Sequence, residues 1–225
     1  MDSMFRVVLV EPENPLNIGF VARAMRASGV KELVIVTSSW KAVPAPAFVT
    51  GVSAPEILKE ARIVTSLSSA LRGSGAAVAF SRRPTGLKQE EFTLPHAPTL
   101  PARTALVFGR ESTGLTRGEA AQCTYLARIP NRNSVSLNLG QAVAVVLFAL
   151  TANGEKGHSQ AAETASMDRL LALWNYIQPR LARAPRFTEA RQRRARQMIY
   201  QLHLNDSSAS LLFAVMKELA KQCSS

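Results

Sequence analysis

A chain of 225 residues, 47% of them hydrophobic, is long enough for one domain of about 150 residues with its own core, plus a smaller appendage. Its 27 Lys and Arg against 16 Asp and Glu leave a formal net charge of +11, an excess that draws in polyanions such as nucleic acid. Cys123 and Cys223 make no disulfide framework, and His96, His158 and His203 lack metal-ligand spacing. Neither a signal-peptide pattern nor an apolar run of about 18 residues is present, so a soluble cytoplasmic protein without a metal centre is expected.

Residues 5–10 are apolar apart from Arg6 and read as a buried strand. The turn-rich EPENP follows. Asn17 is placed to cap a helix that runs to residue 28 with Gly29 as its stop, and Ile18, Val21, Ala22 and Met25 recur on one face of it. At about 100° per residue Arg23 points roughly 140° away from Ile18, so it is not forced into the core. Residues 32–37 form the next strand, 39–54 a Pro- and Ala-rich connection, and 54–61 a short helix. A short strand over 62–65, a helix over 66–72 ended by Gly73 and a buried strand over 76–80 come next. Strands alternating with helices predict a mostly parallel α/β sheet. Ser81, Arg82 and Arg83 sit just past a strand end, on the edge where open α/β sheets bind ligands. Residues 85–103, rich in proline and polar side chains, read as a long loop over that edge.

Two strand-loop-helix units then follow in a row. Residues 105–108 are a strand stopped by Gly109, GRESTGLT is its loop, and 117–122 a short helix. Residues 125–129 are a second strand stopped by Pro130, NRNSVSLNLG is its loop, and 141–150 a strongly apolar helix. Both loops offer backbone N–H and C=O groups beside small residues, which suits a flat polar ligand in a mostly apolar slot. No G-x-G-x-x-G follows the first strand, and neither a P-loop nor a G-x-S-x-G elbow occurs, so dinucleotide, nucleotide-triphosphate and serine-hydrolase sites are not expected. The polar stretch 151–165 has a linker signature. After it Met167, Leu170, Leu171, Trp174 and Ile177 recur at helical spacing, with Pro179 as the expected helix end. Arg180, Arg183, Arg186, Arg191, Arg193, Arg194 and Arg196 make a basic stretch relieved only by Glu189. Met198, Ile199 and Leu202 mark a second helix, and Leu211, Leu212, Val215 and Leu219 a third. The division is a domain over 1–152, a linker over 153–165 and a basic helical extension over 166–225. The arginine run reads as a footprint for an RNA backbone.

FGRESTGL, the IP after the following strand, and SLNLGQA resemble the second and third motifs of the SpoU/TrmH branch of the SPOUT RNA methyltransferases; NIGFVAR at 17–23 resembles the first. The resemblance runs along residues 5–150. It implies an α/β fold with a SPOUT-type parallel sheet, a C-terminal part threaded as a trefoil knot, and a homodimer built around the knot region. It implies transfer of a methyl group from S-adenosylmethionine to a ribose 2′-hydroxyl of RNA, with no metal. Gly109, Ile129, Ser136 and Leu137 would line the S-adenosylmethionine site, joined by Phe80, Ser81 and Arg82. Asn17, Arg23, Glu111, Ser136 and Asn138 fall on the family's polar active-site set. In the family the first-motif arginine is the proposed base, here Arg23. A free guanidinium holds its proton above about pH 12. Two readings therefore stand: Arg23 binds the adjacent phosphate bidentately while the proton leaves to phosphate or water, or the assembled site makes it a base. Asn17 would orient Arg23 or the helix, and Glu111 would orient Asn17 or brace the loop. The loop 131–135 varies in length within the family, so the third-motif match is firm from Ser136 onward.

A basic helical module after the knotted domain resembles the arrangement in TrmJ-type enzymes, which methylate ribose 32 of the tRNA anticodon loop. The resemblance implies tRNA as partner, with Arg23, Arg183, Arg186, Arg191, Arg193, Arg194 and Arg196 in contact with it. Ribosomal RNA 2′-O-methylation and a non-catalytic RNA-binding role are the alternatives; the intact polar set argues against the latter.

Overall fold

Every residue of β1 (Phe5–Val10) is buried, but its alternate side chains enter two different cores. Phe5, Val7 and Leu9 face one, and Val8 and Val10 the other. A strand buried on both faces belongs in the middle of a parallel sheet covered on both sides, and that is the architecture of this computed structural model. It describes residues 4–82, 89–130, 136–151, 165–183, 187–201, 204 and 206–222. After β1 come α1 (Pro15–Ala27), β2 (Glu32–Val36), α2 (Ala45–Thr50), α3 (Pro55–Lys59), β3 (Arg62–Val64), α4 (Leu67–Ala70), β4 (Ala77–Phe80) and β5 (Glu90–Thr93). Then follow β6 (Thr104–Phe108), α5 (Arg117–Ala120), β7 (Tyr125–Arg128), α6 (Leu139–Thr151), α7 (Met167–Ala182), α8 (Glu189–Gln201) and α9 (Asp206–Gln222).

The strands pair in parallel in the order β3-β2-β1-β6-β4-β7-β5. β6 enters between β1 and β4, and β7 between β4 and β5, so both late strands are inserted between strands laid down earlier. One face of the sheet is covered by α1, α2, α3 and α6, and the other by α4, α5 and the helices from α7 onward. Gly19 and Gly140 allow the first layer to close: a Cβ on Gly19 would lie 2.2 Å from the Ala47 carbonyl oxygen, and one on Gly140 2.6 Å from the Phe20 Cβ.

Several expectations need correction. The helix cap is Asn14, whose side chain accepts from the Leu16 N–H, with Pro15 opening the helix; Asn17 lies inside α1 with its side chain engaged elsewhere. The connection 39–54 contains α2, and the loop 85–103 contains β5, an edge strand against β7. Pro179 does not end its helix but lies within α7. One missing N–H is outweighed there by the packing of Trp174 and Ile177, and the Arg180 guanidinium bonds the Tyr176 carbonyl at 2.6 Å and stacks over its ring at 3.8 Å.

The helical extension is a layer of the sheet. Met167 is fully buried, its N–H bonds the Ser74 carbonyl at 2.9 Å, and the Asp168 carboxylate accepts from the Gly73 N–H at 2.9 Å. Ala165, the last residue of the expected linker, is buried and donates to the Leu204 carbonyl at 2.5 Å. Arg83, the loop 131–135, residues 153–164 of the linker with His158, and Arg186, Leu202, His203 and Cys223 lie outside the described residues. No helix among the described residues is long and apolar enough to cross a membrane.

Candidate active site

β1, β6 and β4 are neighbours, and their register (Leu9 opposite Phe108, Ala79 opposite Val107) brings their carboxyl ends level. Phe80 and Phe108 end their strands with rings stacked 4.8 Å apart and nearly parallel, 8° between planes. They form the floor of a pocket of about 180 Å³ whose walls are the loops after β4, β6 and β7 and the start of α6.

The wall from β6 is shaped by its glycines. Gly114 takes φ +72°, and the Arg110 and Gly114 backbones exchange bonds of 3.3 and 2.8 Å that close the neck of the loop. Closure brings Gly114 and Leu115 backbone onto Gly109, where a Cβ would lie 2.2 and 2.3 Å from their atoms. Arg110, which also lines the pocket, is anchored by Glu119. Its Nη1 lies 3.1 Å from both Glu119 carboxylate oxygens, and Glu119 also closes a capping box with Thr116 at the start of α5. Burial pushes the Glu119 carboxyl up, but the bonds from Arg110 and Thr116 outweigh it and hold the group below its ordinary range.

Beside the pocket three distant segments meet in one network. The Glu111 carboxylate accepts from the Asn17 Nδ2 at 2.9 Å and from the N–H groups of Glu13 and Asn14 at 2.7 and 3.2 Å. Asn17 Oδ1 accepts from the Asn138 Nδ2 at 2.7 Å, and Asn138 Oδ1 accepts from the Gly140 N–H at 2.8 Å, capping α6. Asn17 is buried, so its amide is satisfied on both sides within the protein.

All seven residues expected at the cofactor line the pocket: Phe80, Ser81, Arg82, Gly109, Ile129, Ser136 and Leu137. Of the polar set, Asn17, Glu111 and Asn138 are brought together, and Glu111 and Ser136 also line the pocket. Arg23 is not part of that wall. It lies about 9 Å along α1 from Asn17 at 1.5 Å per residue, exposed, and with no hydrogen bond or ion pair among the described residues. Of the extension's arginines, Arg193 pairs with Glu189 at 3.4 Å, while Arg196 bonds the Tyr200 hydroxyl and lies 5.6 Å over the Trp174 ring. Arg183, Arg191 and Arg194 lie on the same layer, far in sequence from the pocket loops and outside its lining. Sequence reading missed Glu13 and Ser112. Ser112 lines the pocket, and Glu13 accepts from its N–H and hydroxyl. The only signal was the run of small hydroxyl residues in GRESTGLT.

The site fits an adenosyl group: stacked rings and Leu115, Leu139 and Ala142 supply apolar surface, and Ser81, Ser112, Ser136 and the loop backbone supply polar contacts. A tRNA (cytidine/uridine/adenosine-2′-O-)-methyltransferase TrmJ from Pseudomonas aeruginosa is 36% identical over 181 residues, covering 74% of this chain and 70% of that protein. The chain spans between 58% and 62% of the length of several further relatives with a TrmJ name. The crystal structure of TrmJ from Z. mobilis ZM4 superposes with a TM-score of 0.84 at 23% identity, covering 96% of this chain and 98% of that one. A solved structure concerned with the 2-OH methylation of C/U34 on tRNA gives a TM-score of 0.53 at 28% identity, covering 67% of this chain and 95% of that one. The model of the SpoU rRNA Methylase family matches residues 4–148, the span that carries the sheet, the pocket and the network. The chain belongs to the SpoU rRNA methylase family.

Proposed function

We propose that the protein methylates a ribose 2′-hydroxyl of tRNA, with S-adenosylmethionine as methyl donor and ribose 32 of the anticodon loop as target. The observation that carries this reading is the network of Asn17, Glu111 and Asn138 beside a pocket lined by the residues expected at the cofactor. The names of its TrmJ relatives support tRNA as the substrate class. S-adenosylmethionine supplies an electrophilic methyl group when bound. The chain's own task is then to hold the 2′-oxygen in line and let its proton go, and positioning of this kind is worth up to about 7–11 kcal/mol. Glu111 and Asn138 lock Asn17 and with it the start of α1, which fixes the helix that carries Arg23. Arg23, exposed and unengaged among the described residues, grips the phosphate next to the target ribose with its forked donors, and the proton leaves to phosphate or water. Ser136 faces the pocket and donates to the ribose.

The insertion of β6 and β7 between earlier strands supports a trefoil knot formed by the pocket loops. Leu16 and Phe20 of α1 and Val145 and Phe148 of α6 are exposed on two helices that pack together, and we assign this apolar face to a second copy of the chain. The arginines of α8 supply phosphate contacts, and the protein works in the cytoplasm, where its substrate is. A second reading, position 34, is favoured by the resemblance to the structure concerned with C/U34.

The test is methyl transfer from labelled S-adenosylmethionine to unmodified tRNA and, separately, ribosomal RNA, with the label mapped by nuclease digestion. Label at ribose 32, lost in Arg23→Ala while S-adenosylmethionine still binds, is the expected outcome. Label at 34 selects the second reading, label only in ribosomal RNA removes tRNA, and no label on either removes the enzyme.

A further inference from the structure

The loops that leave β1 and β6 exchange carboxylates. Glu111 accepts from the N–H groups of Glu13 and Asn14 at 2.7 and 3.2 Å, and Glu13 reaches back to the N–H and hydroxyl of Ser112 at 2.9 and 2.5 Å. The Glu111 half of this exchange belongs to the polar set already described; the Glu13 half does not. The backbone pair between Arg110 and Gly114 fixes only the neck of the pocket loop. Its tip holds Ser112, which lines the pocket and among the described residues bonds only to Glu13.

We propose that Glu13 is a positioning residue for the cofactor: through Ser112 it holds the tip of the 110–114 loop against the first-motif loop, so that this pocket wall is in place before S-adenosylmethionine arrives. Glu13 is not in the pocket lining and acts only through Ser112. A carboxylate suits the place because Ser112 presents two donors, and bonds to an ionised acceptor are roughly twice as strong as neutral ones. A wall ordered in advance spares the ligand the cost of ordering it. The inference rests on the methyltransferase reading above.

Three measurements on wild type, Glu13→Ala, Glu13→Gln and Ser112→Ala test it: calorimetric binding of S-adenosylmethionine, steady-state tRNA methylation, and amide hydrogen exchange of the ligand-free protein. In Glu13→Ala, binding weakens about five- to tenfold and the cofactor KM rises equally, while kcat stays within about twofold. Exchange at 111–114 speeds up in the same variant. Glu13→Gln recovers about half of both effects, because its amide oxygen accepts from the Ser112 N–H and its NH₂ donates to the hydroxyl, but without the carboxylate's charge. Wild-type affinity and exchange in Glu13→Ala, or a fall in kcat at unchanged KM, overturns the proposal. Where Glu13→Ala fails to fold, Ser112→Ala decides through the ligand-free protein: it removes the hydroxyl bond to Glu13, so amides 111–114 must exchange faster, and wild-type exchange there overturns the proposal. A wild type that binds no S-adenosylmethionine and methylates no RNA overturns the methyltransferase reading, and the exchange rates then decide alone whether Glu13 holds the loop.

Discussion

Asn17 shows how far single residues could be read. Its place in NIGFVAR marked it as functional, but its expected use as a helix cap was wrong, because Asn14 and Pro15 start the helix and free the Asn17 amide for Glu111 and Asn138. Those partners lie 94 and 121 residues away, and only the motif resemblance could place them near one another. Glu13 had no such motif, and its partner Ser112 stands 99 residues on, so nothing in the sequence pointed to it. The Glu119 carboxylate links folding stability to pH. Burial raises its carboxyl, and the bonds from Arg110 and Thr116 lower it further than burial raises it, so the folded value lies below the ordinary 4.5. A depressed carboxyl stabilises the fold above that ordinary value, and the contribution is lost as pH falls through the lower folded value. The difference in melting temperature between wild type and Glu119→Gln should therefore be largest near neutrality and shrink below about pH 4. Melting curves that stay equally separated from pH 7 to pH 3 would show that Glu119 carries no such linkage.

Elements were legible where apolar side chains recur and hidden where they do not. The central strands announced themselves as apolar runs, whereas β5, Glu90–Thr93, is polar because an edge strand needs to bury only part of itself. α2 was masked by the prolines around it, although a proline at a helix start is favourable. The two pocket loops were legible through their glycines. Gly109 carries a sharp expectation, since the atoms its Cβ would strike are backbone and cannot rotate away. Gly109→Ala should push the 110–114 loop off the floor formed by Phe80 and Phe108 and weaken S-adenosylmethionine binding at least about tenfold, while costing about 1–3 kcal/mol of stability. Calorimetry and thermal melting check both; an alanine variant with unchanged affinity would mean that the loop is free to shift.

For the molecule as a whole, charge and length pointed to a basic protein with an appendage, and the appendage packs its apolar face into one core with the sheet. The periodicity of Met167, Leu170, Leu171 and Trp174 revealed an apolar face but not its partner, which is the sheet through Val8, Ala79, Val107 and Leu126. A chain cut after residue 152 would expose that face. We expect it to aggregate or to melt at least about 10 °C below the full chain, since a few lost core side chains at about 1.5–3 kcal/mol each are a large share of a typical margin of about 5–15 kcal/mol. A fragment that melts with the full chain would mark the helices as a detachable module.

The covering of that second face by late helices also has a consequence for biosynthesis. The first face is sealed once α6 has formed, but the other, covered in part by α4 and α5, is completed only by α7, on the far side of residues 152–164. At about 5–20 residues per second, the emerging polypeptide carries a partly uncovered apolar sheet face for several seconds after β7 is made. During that interval it is a natural client for a holding chaperone, and a ribosome stalled between residues 150 and 175 would release a sticky product rather than a working enzyme.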